Sequence, residues 1–124
     1  MSQSDKVKTH KDLDAWQKSI ELVKNVYELT KSFPQSELYG LSSQIRRAAV
    51  SIPSNIAEGA ARQTTKEFIR FLYVAQGSLS ELETQVIVSE SLLYIDHDES
   101  AAILGKMSVI RAQLAGLMRS LRPK

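Results

Sequence analysis

The sequence predicts an all-α fold, an antiparallel up-and-down four-helix bundle, from three observations. Apolar residues recur at three- and four-residue spacing in four separate stretches, no stretch of useful length alternates with the period of a strand, and the connections between the stretches are short. A chain of 124 residues is the size of one domain, and a fold of that length buries roughly two-thirds of the surface its unfolded chain exposes. The reading is a flexible, mildly basic tail over residues 1–11 and one bundle domain over 12–122, with helices at about 13–33, 37–61, 65–93 and 99–121.

In the first helix, Trp16, Ile20, Val23 and Tyr27 form one apolar row and Leu22, Val26, Leu29 and Phe33 form another. At about 100° per residue the two rows lie side by side and cover roughly half the circumference, more than one bundle seam needs. Lys18, Glu21, Lys24, Glu28 and Lys31 occupy the opposite face, and Phe33-Pro34 stops the helix because the residue before proline is driven out of the α region. The second helix presents Leu41, Ile45, Ala48, Ile52 and Ile56 among many small residues. Pro53 removes the hydrogen bond its N–H would give to Ala49; Ile52 is a poor N-cap, so the reading is one helix kinked at Pro53.

The third helix opens on the capping-box pattern Thr64-x-x-Glu67 and carries Phe68, Leu72, Ala75, Leu79, Leu82, Val86 and Leu93 on one face. Gly77 inside it costs about 1 kcal/mol relative to alanine, which implies a close contact there. Asp96 or Asp98 caps the fourth helix, whose apolar face is Ile103, Met107, Ile110, Leu114, Leu117 and Leu121. Arg119, Arg122 and Lys124 place positive charge at its C-terminal end.

Composition narrows the function. With no cysteine there is no disulfide framework and no thiolate nucleophile or ligand, and the default compartment is the cytoplasm. No run approaches the roughly 18 apolar residues of a membrane span, and the N-terminus lacks a secretory h-region, so no membrane partner is expected. The net charge of +2 is too small for a polybasic protein, so any nucleic-acid argument rests on local clustering.

Several phrases occur together: Leu13-x-x-Trp16, Thr30-x-x-Phe33-Pro34, Tyr39-Gly40-Leu41, Gln44-Ile45-Arg46-Arg47-Ala48, Ser51-Ile52-Pro53-Ser54-Asn55-Ile56-Ala57-Glu58-Gly59, Glu67-Phe68-x-Arg70-Phe71-Leu72 and Gly77-Ser78-Leu79-x-Glu81-Leu82-Glu83. In these the chain resembles the bacterial 23S ribosomal RNA intervening-sequence proteins, from about Leu13 to at least Leu93. The resemblance implies an up-and-down bundle that assembles into a ring-shaped homo-oligomer, a pentamer, in a family without an agreed biochemical function. It also implies kinship with bundle proteins associated with nucleic acid and a reverse transcriptase.

The candidate binding site is a stripe on the second helix, where Arg47, Ser51, Ser54, Glu58 and Arg62 follow helical spacing with Asn55 at the edge and Lys66 and Arg70 beyond. Arginine and lysine hold phosphates, and serine and asparagine add adaptable hydrogen bonds. A broader phosphate-binding surface combines Arg46, Arg47, Arg62, Lys66 and Arg70. The plainer reading of the same residues is a Glu58–Arg62 ion pair, with Ser54 or Asn55 satisfying groups freed at Pro53. Trp16, Tyr27, Phe68 and Phe71 read as core packing.

No Glu-x-x-His pairs suggest a di-metal centre, His10 and His97 read as solvated, and no serine has a legible His/Asp partnership. No catalytic residue, metal or cofactor is therefore assigned. The expectation is a non-enzymatic, oligomeric bundle that binds RNA or DNA with little sequence preference. The alternative is an assembly scaffold for a protein partner.

Overall fold

The computed structural model describes residues 9, 10 and 13–123. Four helices, α1 (Asp14–Thr30), α2 (Leu41–Ala60), α3 (Thr65–Ser91) and α4 (His97–Leu121), follow one another with a single 3₁₀ turn at Gln35–Glu37 between α1 and α2. Each helix packs on its two sequence neighbours, α4 closes back on α1, and the diagonal pairs do not approach. Short links between consecutive packed helices make the bundle antiparallel. Of the tail assigned to residues 1–11, only Thr9 and His10 are described; the rest lies outside the described residues.

The core is one continuous apolar cluster. Leu22 and Val26 of α1, Ile45, Ile52 and Ile56 of α2, Leu72, Leu79, Leu82 and Val86 of α3, and Met107, Ile110 and Leu114 of α4 are fully buried or nearly so. On α1 the row that faces inward is Ala15, Ser19, Leu22, Val26 and Thr30. The Trp16 row lies to its side: Trp16 and Val23 are partly buried against the core, whereas Tyr27 is exposed, which corrects its assignment to the core.

The helix ends differ from expectation in ways the side chains explain. Helix α1 closes at Thr30, not Phe33, and α2 begins at Leu41, not Glu37, because the intervening chain turns as 3₁₀ and Gly40 takes the N-cap position. The cap comes from outside the helix: Glu37 Oε1 accepts the Leu41 N–H at 3.0 Å. A side chain at Gly40 would stand 2.7 Å from that same oxygen, so glycine keeps the space for the capping carboxylate. Helix α2 continues unbroken through the buried Pro53.

The Thr64 hydroxyl accepts from the Glu67 N–H as expected, and Asp96 caps α4 in a complete capping box with Glu99, so that helix begins at His97. Helix α3 ends in a Schellman motif: Tyr94 N–H donates to Ser89 O and Leu93 N–H donates to Glu90 O, both at 2.9 Å. Leu93 takes the left-handed position at φ 65° and is 88% exposed, so it does not belong to the apolar face of α3 as the periodicity suggested.

The close contact expected at Gly77 is found instead at Gly59. A Cβ at Gly77 would meet nothing within 4 Å, so no internal contact demands glycine there. A Cβ at Gly59 would lie 2.7 Å from Phe71 Cβ and 3.1 Å from Phe68 O, which makes Gly59 the close crossing of α2 on α3.

By length and composition alone α4 reaches what a membrane crossing requires, a property that a count of uninterrupted apolar residues missed. In the bundle its apolar stripe packs inward. Its interrupting charges bind neighbouring helices: Lys106 Nζ donates to Asn25 Oδ1 at 2.9 Å and Arg111 Nη2 to Glu83 Oε1 at 3.4 Å.

Candidate functional site

Antiparallel packing gathers the charged residues by end. At one end lie Glu28, Glu37, Glu90, Asp96, Asp98 and Glu99, with Lys31 and, bonded to Thr30, Arg46 as the cations near them among the described residues. At the other lie Arg62, Lys66, Arg70, Arg119 and Arg122, together with the start of α1 and the carboxylates Asp14, Glu58 and Glu67. The near-neutral chain is thus an electrically polar rod. Lys6, Lys8, Lys11 and Lys124 lie outside the described residues.

The acidic end is bound together by its own groups. Tyr94 donates its hydroxyl to Glu37 Oε2 at 2.8 Å, and its ring packs on Phe33 with centroids 5.3 Å apart. Glu37's carboxyl is held below its ordinary 4.5 by the Leu41 N–H first and by Tyr94 second, and the same bond raises Tyr94 above its ordinary 10. Glu90 is also lowered, chiefly by a hydrogen bond from Ser100 and then by His97, whose Nδ1 lies 3.1 Å from Glu90 Oε2. His97 therefore has a partner rather than water alone, and His10 sets its ring edge on Trp16 at 5.1 Å.

The basic residues divide into three groups, and the structure does not bring all of the predicted ones together. Arg46 belongs to the α1–α2 seam: its Nε donates to Thr30 Oγ1 at 2.8 Å and its guanidinium lies 4.8 Å from the Tyr27 centroid. It is a clamp between helices and stands apart from the stripe. Arg47 is exposed at the middle of the α2–α3 groove, where Gln44, Ala48, Ser51 and Glu81 line an open space of about 510 Å³. It makes no hydrogen bond or ion pair to a described residue.

Arg62, Lys66 and Arg70 form the third group. The guanidinium carbons of Arg62 and Arg70 lie 4.8 and 5.3 Å from the centroid of one ring, Phe71, so a single aromatic side chain carries two cations. Arg62 Nη2 also pairs with Glu58 Oε2 at 2.7 Å, as the plainer reading anticipated. Both partners are substantially exposed, so that pair contributes little to stability. Lys66 and Arg70 have no carboxylate partner among the described residues, and Lys66 borders a groove of about 400 Å³ with Thr65, Ile69, Leu121 and Pro123.

The small polar residues between these groups are structural. Ser51 and Ser78 share a 2.7 Å hydrogen bond across α2 and α3. Asn55 donates to Ser51 O at 2.8 Å and to its hydroxyl at 3.0 Å, so its amide serves the turn containing Pro53. Ser54 is exposed and takes no part in this network.

The sequence reading left out Phe71 as a platform and Tyr73, and gave Arg122 only as positive charge at the end of the fourth helix. Arg122 Nη2 donates to the Tyr73 hydroxyl and its guanidinium carbon is 5.9 Å from that ring's centroid. The signal that was available is that charges concentrate near helix termini, which an up-and-down topology sorts into two ends. Among the described residues no three His, Cys, Asp or Glu side chains stand together as a metal site.

Fold and site together define a small all-α protein, a four-helix bundle with its charge separated between its ends and a cationic cluster on one of them. The chain belongs to the 23S rRNA-intervening sequence protein family, whose profile matches residues 11–116. Among solved structures it is similar to a protein of unknown function from the S23 ribosomal protein family of Bacteroides thetaiotaomicron, at a TM-score of 0.75 and 23% identity, covering 84% of this chain and 97% of that one. That likeness carries the fold alone. No curated protein matches the chain. Neither the family description nor that of the solved structure names an enzymatic activity.

Proposed function

We propose that this chain is a non-enzymatic, homo-oligomeric bundle that binds RNA or DNA with little sequence preference through its basic end. The observation that carries the reading is the gathering of Arg62, Lys66 and Arg70 at that end with Glu58 as their single ion-pair partner among the described residues. Like charges held close together repel unless an anion lies between them, and phosphate is the anion that guanidinium and ammonium groups hold without reading a sequence. The polarity of the rod supports the same reading, since a polyanion is drawn to one end and turned away from the other.

The oligomer is supported by the outer face of α3. Beyond Tyr73, which belongs with Arg122 to the basic end, Val74, Gly77, Ser80, Thr84, Ile87 and Val88 are exposed there, with Glu81 as the one charge among them. A helix face of this length with one charge favours burial against another copy, and the family resemblance points to a ring, a pentamer. A ring repeats the basic end around its axis, so that weak phosphate contacts act together.

Gel-shift titration against ribosomal RNA fragments at several salt concentrations tests the reading. The expected result is binding that weakens steeply as salt rises. Absence of a complex even at low salt overturns it, and a protein partner recovered by affinity pull-down after nuclease treatment would favour the scaffold reading in its place.

A further inference from the structure

Arg70 stands on the outer side of α3 between two aromatic rings. Toward α2 is Phe71, which also carries Arg62; toward α4 is Tyr73, which carries Arg122. Three guanidinium groups, from the α2–α3 link, from α3 and from the C-cap of α4, therefore lie along one band at the basic end. Tyr73 is half exposed, with 50% of its surface open to solvent despite its bond to Arg122. A nonspecific phosphate site needs only the cations. An open ring beside them adds a surface on which an unpaired base stacks, and stacking tolerates any base because each has a π-face.

We propose that Tyr73 and Arg122 complete a binding surface for single-stranded nucleic acid, with the phosphates on Arg62, Lys66 and Arg70 and one base on the Tyr73 ring. This rests on the nucleic-acid reading above and adds strand type and two further residues to it. Single strand is favoured over duplex because duplex bases are already stacked on one another and offer Tyr73 no free face. The strand approaches end-on, since the far end of the bundle carries the carboxylates.

Fluorescence anisotropy tests this with the full chain, a labelled single strand of about 20 nucleotides and the matching duplex, measured at several salt concentrations. The expected result is tighter binding of the single strand. Tyr73→Ala lowers single-strand affinity about tenfold and leaves duplex affinity in place, and Tyr73→Phe, which keeps the ring, restores most of the loss. Arg122→Ala weakens both and flattens the single-strand salt dependence of log K by about 0.7 per log unit of salt. Lys31→Ala, at the acidic end, changes neither. Helix content and melting by circular dichroism confirm that each variant is folded.

Equal affinity for both strands together with an inert Tyr73→Ala overturns the inference and leaves the nucleic-acid reading standing. Binding of neither probe by the native protein overturns both. Tighter binding of polyglutamate than of the single strand assigns the surface to an acidic protein and also overturns the inference.

Discussion

Gly59 and Gly77 both interrupt helices, and their surroundings give them opposite consequences. At Gly59 an added methyl meets Phe71 Cβ at 2.7 Å and the backbone oxygen of Phe68 at 3.1 Å, so α2 and α3 must separate to admit it. At Gly77 the same methyl meets nothing. Gly59→Ala is therefore expected to destabilise the protein by about 1–3 kcal/mol, while Gly77→Ala stabilises the isolated subunit by about 0.5–1 kcal/mol through helix propensity. Urea denaturation midpoints at unchanged slope measure both; equal shifts of one sign would contradict the assigned contacts. Which glycine marks the crossing was not legible in the chain. Both lie in helical sequence, and the distinction depends on what the neighbouring helix places opposite.

At the scale of the element, the start of α2 depends on Glu37, a residue four positions before Leu41 that also receives the Tyr94 hydroxyl from beyond α3. Its folded carboxyl lies below the ordinary 4.5, so the charged form is favoured in the fold. The stability it contributes is complete above about pH 4.5 and is lost as pH falls through the lower folded value. Tyr94 is raised, so its contribution is present below about pH 10 and lost as pH rises through the higher folded value. Glu37→Gln should show a shallower fall of melting temperature between about pH 5 and 3 than the native chain, by circular dichroism. Parallel acid limbs in the two proteins would remove Glu37 from this role. The cap pattern Thr64-x-x-Glu67 was readable in sequence because both partners are local. The Glu37 cap was not, because its second partner is 57 residues away.

For the molecule as a whole, the outer face of α3 and the two charged ends are separate surfaces with separate tests. Ile87 is half exposed in the subunit, so Ile87→Glu removes little from the core and places a charge in the face proposed to meet another copy. Light scattering is expected to give the native chain a mass several times its 13.9 kDa, and Ile87→Glu a mass near that of one subunit with helix content retained. A native monomer would remove the ring and its repetition of the basic end. A native oligomer unaffected by Ile87→Glu would move the interface elsewhere, the partly buried Trp16 row of α1 being the next candidate.

The four helices, the apolar rows of α2 and α4 and two of the caps follow from the sequence because they depend on neighbours three or four residues apart. The candidate stripe on α2 was legible for the same reason, and its Glu58–Arg62 pair forms as spaced. Only the tertiary structure separated Arg46 from the broader basic surface, placed Arg62 and Arg70 on one ring, and brought Arg122 to Tyr73 across 49 positions. Only the antiparallel packing turned a near-neutral chain into a rod with a basic and an acidic end. Charge interactions act through space, so the order of residues along the chain fixes them only after the helices have been laid side by side.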